Sequence, residues 1–175
     1  MSQGTKLIER RHESDGVVST ATYSPCEKYR YDLTRIWNPE GARLFYVMLN
    51  PSKATELRND PTIERCQRRA DQLGFGAMKI GNLFAWRETS PDALRKATSP
   101  VGPETDRLLR EGADWADEVL CAWGVHGTHR ARSAAVTSLL AESGARLTHL
   151  GLTKDRHPRH PLYISYNVKP TLWRL

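Results

Sequence analysis

Six successive apolar residues, Leu44-Phe45-Tyr46-Val47-Met48-Leu49, stop at Asn50-Pro51, and no other stretch restricts the fold of this chain so much. A strand with one wet face alternates apolar and polar residues. An unbroken run is buried on both faces, as a central strand of an α/β sheet is. In open α/β sheets ligands bind outside the carboxyl ends of the strands, so the loop that begins Asn50-Pro51-Ser52-Lys53 falls where chemistry usually happens.

The flanks fill in the architecture. Residues 29–37 alternate like a half-solvated strand and Asn38-Pro39-Glu40-Gly41 is a turn signal, which predicts a hairpin between 29–37 and the strand at 43–49. Asp60-Pro61 predicts a helix start and Gly74 its stop. On that helix Ile63, Cys66, Ala70 and Leu73 fall at helical spacing, while Arg65, Arg68 and Arg69 are expected on a solvated face. Buried strands are predicted over 77–84, 118–124 and 147–152, with helices over 91–96, 104–115 and 130–143. Strand, loop and helix recur without an internal repeat, so the expectation is an α/β fold. Its form would be a three-layer α/β/α sandwich around a mainly parallel central sheet, with an N-terminal β-hairpin addition. Loops at 50, 82, 124 and 153 would then meet along one edge.

A length of 175 residues fits one core. The charged, aperiodic residues 1–15 are expected to be a flexible arm, followed by a single α/β domain over 16–175. Lys plus Arg exceed Asp plus Glu by 26 to 20, a net +6 that favours an anionic partner. Cys26, Cys66 and Cys121 form no Cys-x-x-Cys pair, which leaves neither a disulfide framework nor a four-cysteine cluster and fits a reducing compartment. No apolar stretch approaches the roughly 20 residues of a membrane span, and the N-terminus lacks the apolar region of a signal peptide. The expectation is a cytoplasmic protein without a membrane partner.

Candidate chemistry concentrates in the loops. Neither a phosphate-binding glycine loop nor a Gly-x-Ser-x-Gly elbow around Ser52 is present, which disfavours nucleotide-driven and serine-hydrolase chemistry. Asn50 could position a water or cap the Pro51 turn, and Asp60 has a capping role of its own. Asn82 ends an apolar strand, where a buried amide needs partners on both its donor and acceptor sides, as a base edge could supply. Phe84 and Trp86 follow and could stack on a base or pack in the core. His157 and His160 each precede proline among Lys154, Arg156 and Arg159. An imidazole there could stabilise developing negative charge while the cations, with Lys53, contact phosphate. His126, His129 and Cys121 have only loosely metal-like spacing, so neither metal nor cofactor is expected.

Over residues 28–170 the chain resembles the family known as domain of unknown function 1643. The matching segments are Met48-Leu49-Asn50-Pro51-Ser52, Asp60-Pro61-Thr62, Gly81-Asn82-Leu83-Phe84, Ala122-Trp123-Gly124 and Arg159-His160-Pro161-Leu162-Tyr163. That resemblance implies no activity. The order of the same segments is similar, more distantly, to the uracil-DNA glycosylase superfamily. Asn50-Pro51 would correspond to its water-positioning motif, Gly81-Asn82 to its base-reading asparagine, and His160-Pro161-Leu162-Tyr163 to the loop that stabilises the leaving base and wedges into the duplex. Val47-Met48-Leu49 stands where that superfamily has a glycine-rich lead-in, and the four cysteines of its iron-sulfur branches are missing.

The resemblance implies a uracil-DNA-glycosylase-like fold and a DNA-acting, metal-independent N-glycosylase. Asn50 and His160 would be catalytic. Pro51, Ser52, Asn82, Phe84, Trp86, Leu162 and Tyr163 would hold the substrate, and Lys53, Lys154, Arg156 and Arg159 its phosphates. The alternatives are a non-catalytic module that binds a modified base or nucleic acid, and an enzyme acting on a free nucleoside or nucleotide.

Overall fold

The computed structural model describes residues 6–175. Its elements in chain order begin with β1 (Ile8–Ser14), β2 (Val17–Tyr23), β3 (Arg30–Ile36), β4 (Ala42–Met48), α1 (Pro61–Gln72), β5 (Phe75–Asn82) and α2 (Pro91–Lys96). They continue with α3 (Thr105–Trp115), β6 (Glu118–Cys121), α4 (Arg132–Glu142), β7 (Leu147–His149) and β8 (Thr171–Leu172). All eight strands join one sheet in the order β1-β2-β3-β5-β4-β6-β7-β8.

The apolar run is the heart of this sheet, and its residues divide by parity. Leu44, Tyr46 and Met48 of β4 pack with Ile63, Cys66 and Ala70 of α1. Phe45 and Val47 pack with Leu109 and Ala113 of α3 and with Val136, Leu139 and Leu140 of α4. A strand covered on both faces has no place for a polar side chain, which is why the run is continuous. The Phe45 ring lies in a notch made by two glycines, since an added Cβ would stand 2.7 Å from its Cζ at Gly81 and 2.5 Å from it at Gly112.

Helix α1 begins and ends as its residues dictate. Asp60 caps it by accepting from the Ile63 N–H at 2.8 Å, Pro61 takes the first position, and Gly74 leaves it at a φ of +90°.

Several expectations are corrected. The sheet is largely antiparallel: β1/β2, β2/β3, β3/β5 and β7/β8 are antiparallel, against parallel pairs β4/β5, β4/β6 and β6/β7. The parallel centre is bordered by meander strands on one side and by the short β8 on the other. The expected flexible arm instead contributes β1, because Asp15 and Gly16, at φ of 53° and 76°, form a two-residue turn that folds 8–14 onto β2. Residues 1–5 of that arm lie outside the described residues.

The hairpin predicted between 29–37 and 43–49 does not form either, because β3 pairs with β5. The 38–41 turn sits on the start of β5: the N–H groups of Trp37 and Asn38 donate to the Gly76 carbonyl at 3.0 and 2.9 Å. Gly41 and Gly76 allow their backbones to touch, as a Cβ on Gly41 would lie 2.7 Å from the Gly76 Cα.

Two arginines of α1 are not on a solvated face. Arg69 is 1% exposed and donates to the carbonyls of Ile164, Ser165 and Val168 at 2.8, 3.2 and 3.1 Å. Arg65 donates to the Ile164 carbonyl at 2.6 Å, and both guanidinium groups lie over the Tyr166 ring. Together they hold the segment that follows His160 against the helix.

Candidate functional site

The parallel strands run β5-β4-β6-β7, so the chain leaves β4 toward one side and later returns past it to build the other. Loops diverge at such a switch and leave a crevice at the carboxyl ends of the strands. A cavity of about 660 Å³ occupies it, with walls from Asn50, Asn82, Gly124 and Thr153, one residue from each of the four loops. Pro51, Ser52, Arg159, His160, Leu162 and Tyr163 also line it.

Asn50 ties two of these loops together. Its Nδ2 donates to the carbonyls of Glu88 at 2.7 Å and Pro51 at 3.1 Å, and the Glu88 N–H returns to the Pro51 carbonyl at 3.0 Å. With the amide nitrogen so engaged, Oδ1 is the remaining acceptor of the side chain.

Asn82 differs. It closes β5 opposite Met48, is 2% exposed, and its buried Nδ2 has no hydrogen-bond partner among the described residues. A buried unpaired amide costs about 1–3 kcal/mol, so it needs either a function or a bound partner.

His160 is half-buried, and its Nδ1 accepts from the Leu162 N–H at 3.3 Å. Burial pulls its pKa below the ordinary 6.5, with Asp60 pulling weakly the other way, so the ring is neutral at pH 7. The proton then resides on Nε2, which becomes a donor. Tyr163, 92% exposed at the cavity mouth, is the most exposed large hydrophobic side chain among the described residues.

Of the other candidates His126 lines the cavity, its Nδ1 2.8 Å from Arg95 Nη2, and the rest lie apart from it. Phe84 is fully buried and packs against the His129 ring, with centroids 5.5 Å apart, so it belongs to the core under α3 and α4. Trp86 is edge-on to Tyr29 at 5.5 Å. Lys53, Lys154 and Arg156 are exposed and do not line the cavity. His157 is also outside it, its backbone N–H on the Thr153 Oγ1 at 3.1 Å.

Both carboxylates on the wall already accept backbone hydrogen bonds, Glu88 through Oε1 alone. Asp60 accepts from the backbone N–H groups of Ile63 and Ala54, and Glu88 from those of Thr89 and Ser90.

The residue that pattern reading missed is Arg30. It lines the cavity, is 1% exposed, and donates from Nη1 to the Ala54 carbonyl at 2.6 Å, while its buried Nε has no partner among the described residues. Burial lowers its pKa to about 10. Strict alternation along 29–37 would put it with Asp32 and Thr34 on the wet face of β3. Its neighbour in the strand, Arg35, donates to the carbonyl of Thr55 at 2.5 Å and to Asn59 Oδ1, so two β3 arginines hold the loop between β4 and α1.

A family model described as a protein of unknown function, DUF1643, matches residues 30–162. The chain belongs to this family. Neither the curated proteins nor the solved structures give a match. The DUF1643 match runs from Arg30 to Leu162, and so from one wall of the cavity to another.

Proposed function

We propose that this DUF1643 protein recognises a base flipped out of DNA and hydrolyses its glycosidic bond without a metal, on a three-layer fold of the uracil-DNA glycosylase kind. One observation carries the proposal: the buried Asn82 amide, unpartnered, at the wall of a cavity at the switch point of the sheet. A base edge would give that amide the partner it lacks, and about 660 Å³ accommodates a nucleotide.

In this reading Asn82 donates to a carbonyl oxygen of the base, and Met48, Ile63 and Ile80 supply an apolar wall. Asn50 Oδ1 accepts a hydrogen bond from a water aimed at the sugar carbon. The water oxygen bonds to that carbon as the glycosidic C–N bond breaks, and the electron pair leaves with the base. His160 Nε2–H donates to the base as its negative charge develops, a form of electrostatic stabilisation in a site shielded from water. Asn50 cannot take the water's proton, which passes to solvent. Tyr163 at the mouth fills the space the base vacates in the stack. Arg159 on the wall, and Lys53, Lys154 and Arg156 on the surrounding surface, face the phosphates.

The committed state of Asp60 and Glu88 favours a second reading, a binding module of the same fold that holds a modified base without cutting. Release of free base from DNA carrying a panel of modified and deaminated bases, followed by mass spectrometry, separates the two. Loss of release in Asn50→Ala and His160→Ala supports the glycosylase. Retention of full activity in Asn82→Ala removes the base-reading role. Binding without release by any folded preparation leaves the module.

A further inference from the structure

The side chains of β3 should alternate, yet Arg30 and Leu33, an odd number of residues apart, share a face. The register explains it. Ala21 opposes Leu33 and Thr22 opposes Asp32, but Tyr23 opposes Arg30, a shift that leaves Tyr31 as an extra residue. A bulge of this kind turns every side chain beyond it to the other face of the strand. Leu33, Ala21 and Tyr23 all belong to the core on the α1 side, so Arg30 opposite Tyr23 is delivered to that side and into the cavity wall. Tyr31 is sent the other way, toward Gly102, where an added Cβ would stand 3.2 Å from its ring.

An arginine delivered to a buried wall needs an acceptor, and one carbonyl is all it has. Among the described residues no carboxylate lies within ion-pair distance of Arg30; it is absent from every one of their ion pairs. Asp60 is spent on two backbone N–H groups, and the nearby Glu56 accepts from the Tyr23 hydroxyl at 2.8 Å. Tyr23 and Asp60 favour its charge from outside ion-pair distance, and Arg87 and Arg35 oppose it. A desolvated guanidinium without a counter-charge in contact is costly, and a planar donor fork matches carboxylate and phosphate oxygens. Asn82 and Trp123 on the same wall add two further unpartnered donors, and the carboxylate oxygen left without a partner there, Glu88 Oε2, lies outside ion-pair distance of Arg30.

We infer that Arg30 is a specificity-determining residue and that the ligand places an anionic oxygen group, carboxylate or phosphate, at the buried wall formed by Arg30 and Asn82. This rests on the proposal that the cavity is the ligand site, and it narrows the ligand: a neutral base alone leaves Arg30 unpaired. A carboxylate would be carried on the base ring. A phosphate would mean that a nucleotide enters phosphate first.

The test is calorimetric titration of the intact protein with two matched pairs of probes. Orotate against uracil places a carboxylate on the ring. 2′-Deoxyuridine 5′-monophosphate against 2′-deoxyuridine places a phosphate on the sugar. In at least one pair the anion binds about 10- to 100-fold tighter than its neutral partner, the value of a charge-assisted bond in a buried site. The favoured pair tells carboxylate from phosphate. Arg30→Gln, which removes the charge and the donor fork, abolishes the margin, and Arg30→Lys, which keeps the charge, keeps part of it.

Should either variant fail to fold, the 15N resonance of the Arg30 Nε–H in the unaltered protein gives the answer, since it shifts with the anion and not with the neutral partner. Equal binding within both pairs, no binding of either anion, a margin that survives in folded Arg30→Gln, or an unmoved Arg30 Nε–H overturns the inference. None of these probes contains DNA or requires bond cleavage, so a failed base-release assay leaves the outcome unaffected.

Discussion

The Nδ2 of Asn50 donates to the Glu88 carbonyl at 2.7 Å, which locks the loop after β4 to the loop after β5 and fixes which end of the Asn50 amide is left for the cavity. Asn50→Asp replaces these donors with a charged acceptor facing carbonyl oxygens. The expected loss of stability is about 1–3 kcal/mol, read from chemical denaturation at neutral pH. An unchanged midpoint would mean that the two loops hold together without the amide.

Arg69 gives a stronger effect for a different reason. Arg69→Ala strips the Ser165 and Val168 carbonyls of their donor and leaves Arg65 alone on that of Ile164, which loosens the 164–168 segment from α1. The variant is expected to lose about 2–5 kcal/mol, at roughly 1–3 for each carbonyl left unpaired. In hydrogen exchange the amides of 161–168 lose protection before those of β4 do.

Stability should depend on pH through two histidines. Burial depresses His160 below its ordinary 6.5, and burial together with Arg156 depresses His149. A base whose folded pKa is lowered binds protons more readily once unfolded. Its contribution is therefore complete above the unfolded value and lost as pH falls below it. Melting temperature should drop between about pH 7 and about pH 5. His160→Gln and His149→Gln each flatten part of that slope.

The Phe45 notch predicts an overpacking phenotype. Gly112→Ala places a Cβ 2.5 Å from the Phe45 ring in the middle of the core, and the expected cost is about 1–3 kcal/mol in thermal or chemical unfolding. Phe45→Leu combined with Gly112→Ala should recover part of it, because the smaller side chain vacates the notch.

Thiol chemistry separates the three cysteines. Burial pushes the Cys66 and Cys121 thiols well up, whereas the exposed Cys26 is lowered, first by Ser24 Oγ at 3.3 Å and then by the backbone at Lys28. A maleimide should label Cys26 alone in the native protein and all three after denaturation, as mass spectrometry of the peptides would record.

Much of this molecule could be read from its residues. The run 44–49 announces a strand buried on both faces, Asp60-Pro61 and Ser90-Pro91 announce helix starts, and Gly74 announces an end, because each is a local preference that packing reinforces. Asn50 and Asn82 on the cavity wall follow from the strand-end rule, and His160 from a His-Pro pair among basic residues after a strand. What stayed hidden is non-local. The pairing of β3 with β5 depends on a glycine contact between residues 41 and 76, and nothing in 29–49 reports it. Arg65 and Arg69 look like any exposed pair until the chain returns a hundred residues later with its carbonyls and Tyr166. Phe84 satisfies the pattern of a stacking residue beside Asn82, and alternation would keep the two on one face, but β5 ends at Asn82 and Phe84 packs into the opposite core. Arg30 was lost for the converse reason, since alternation fails at one extra residue in β3.

The segment clamped by Arg65 and Arg69 ties the cavity to a helix. His160, Leu162, Tyr163 and Ile164 form one wall of the cavity, and the Ile164 carbonyl accepts from both arginines of α1. That wall is suspended from α1 through the backbone of residue 164. Whatever shifts α1 along the sheet shifts the wall with it, so the width of the crevice is set by two side chains that do not line it.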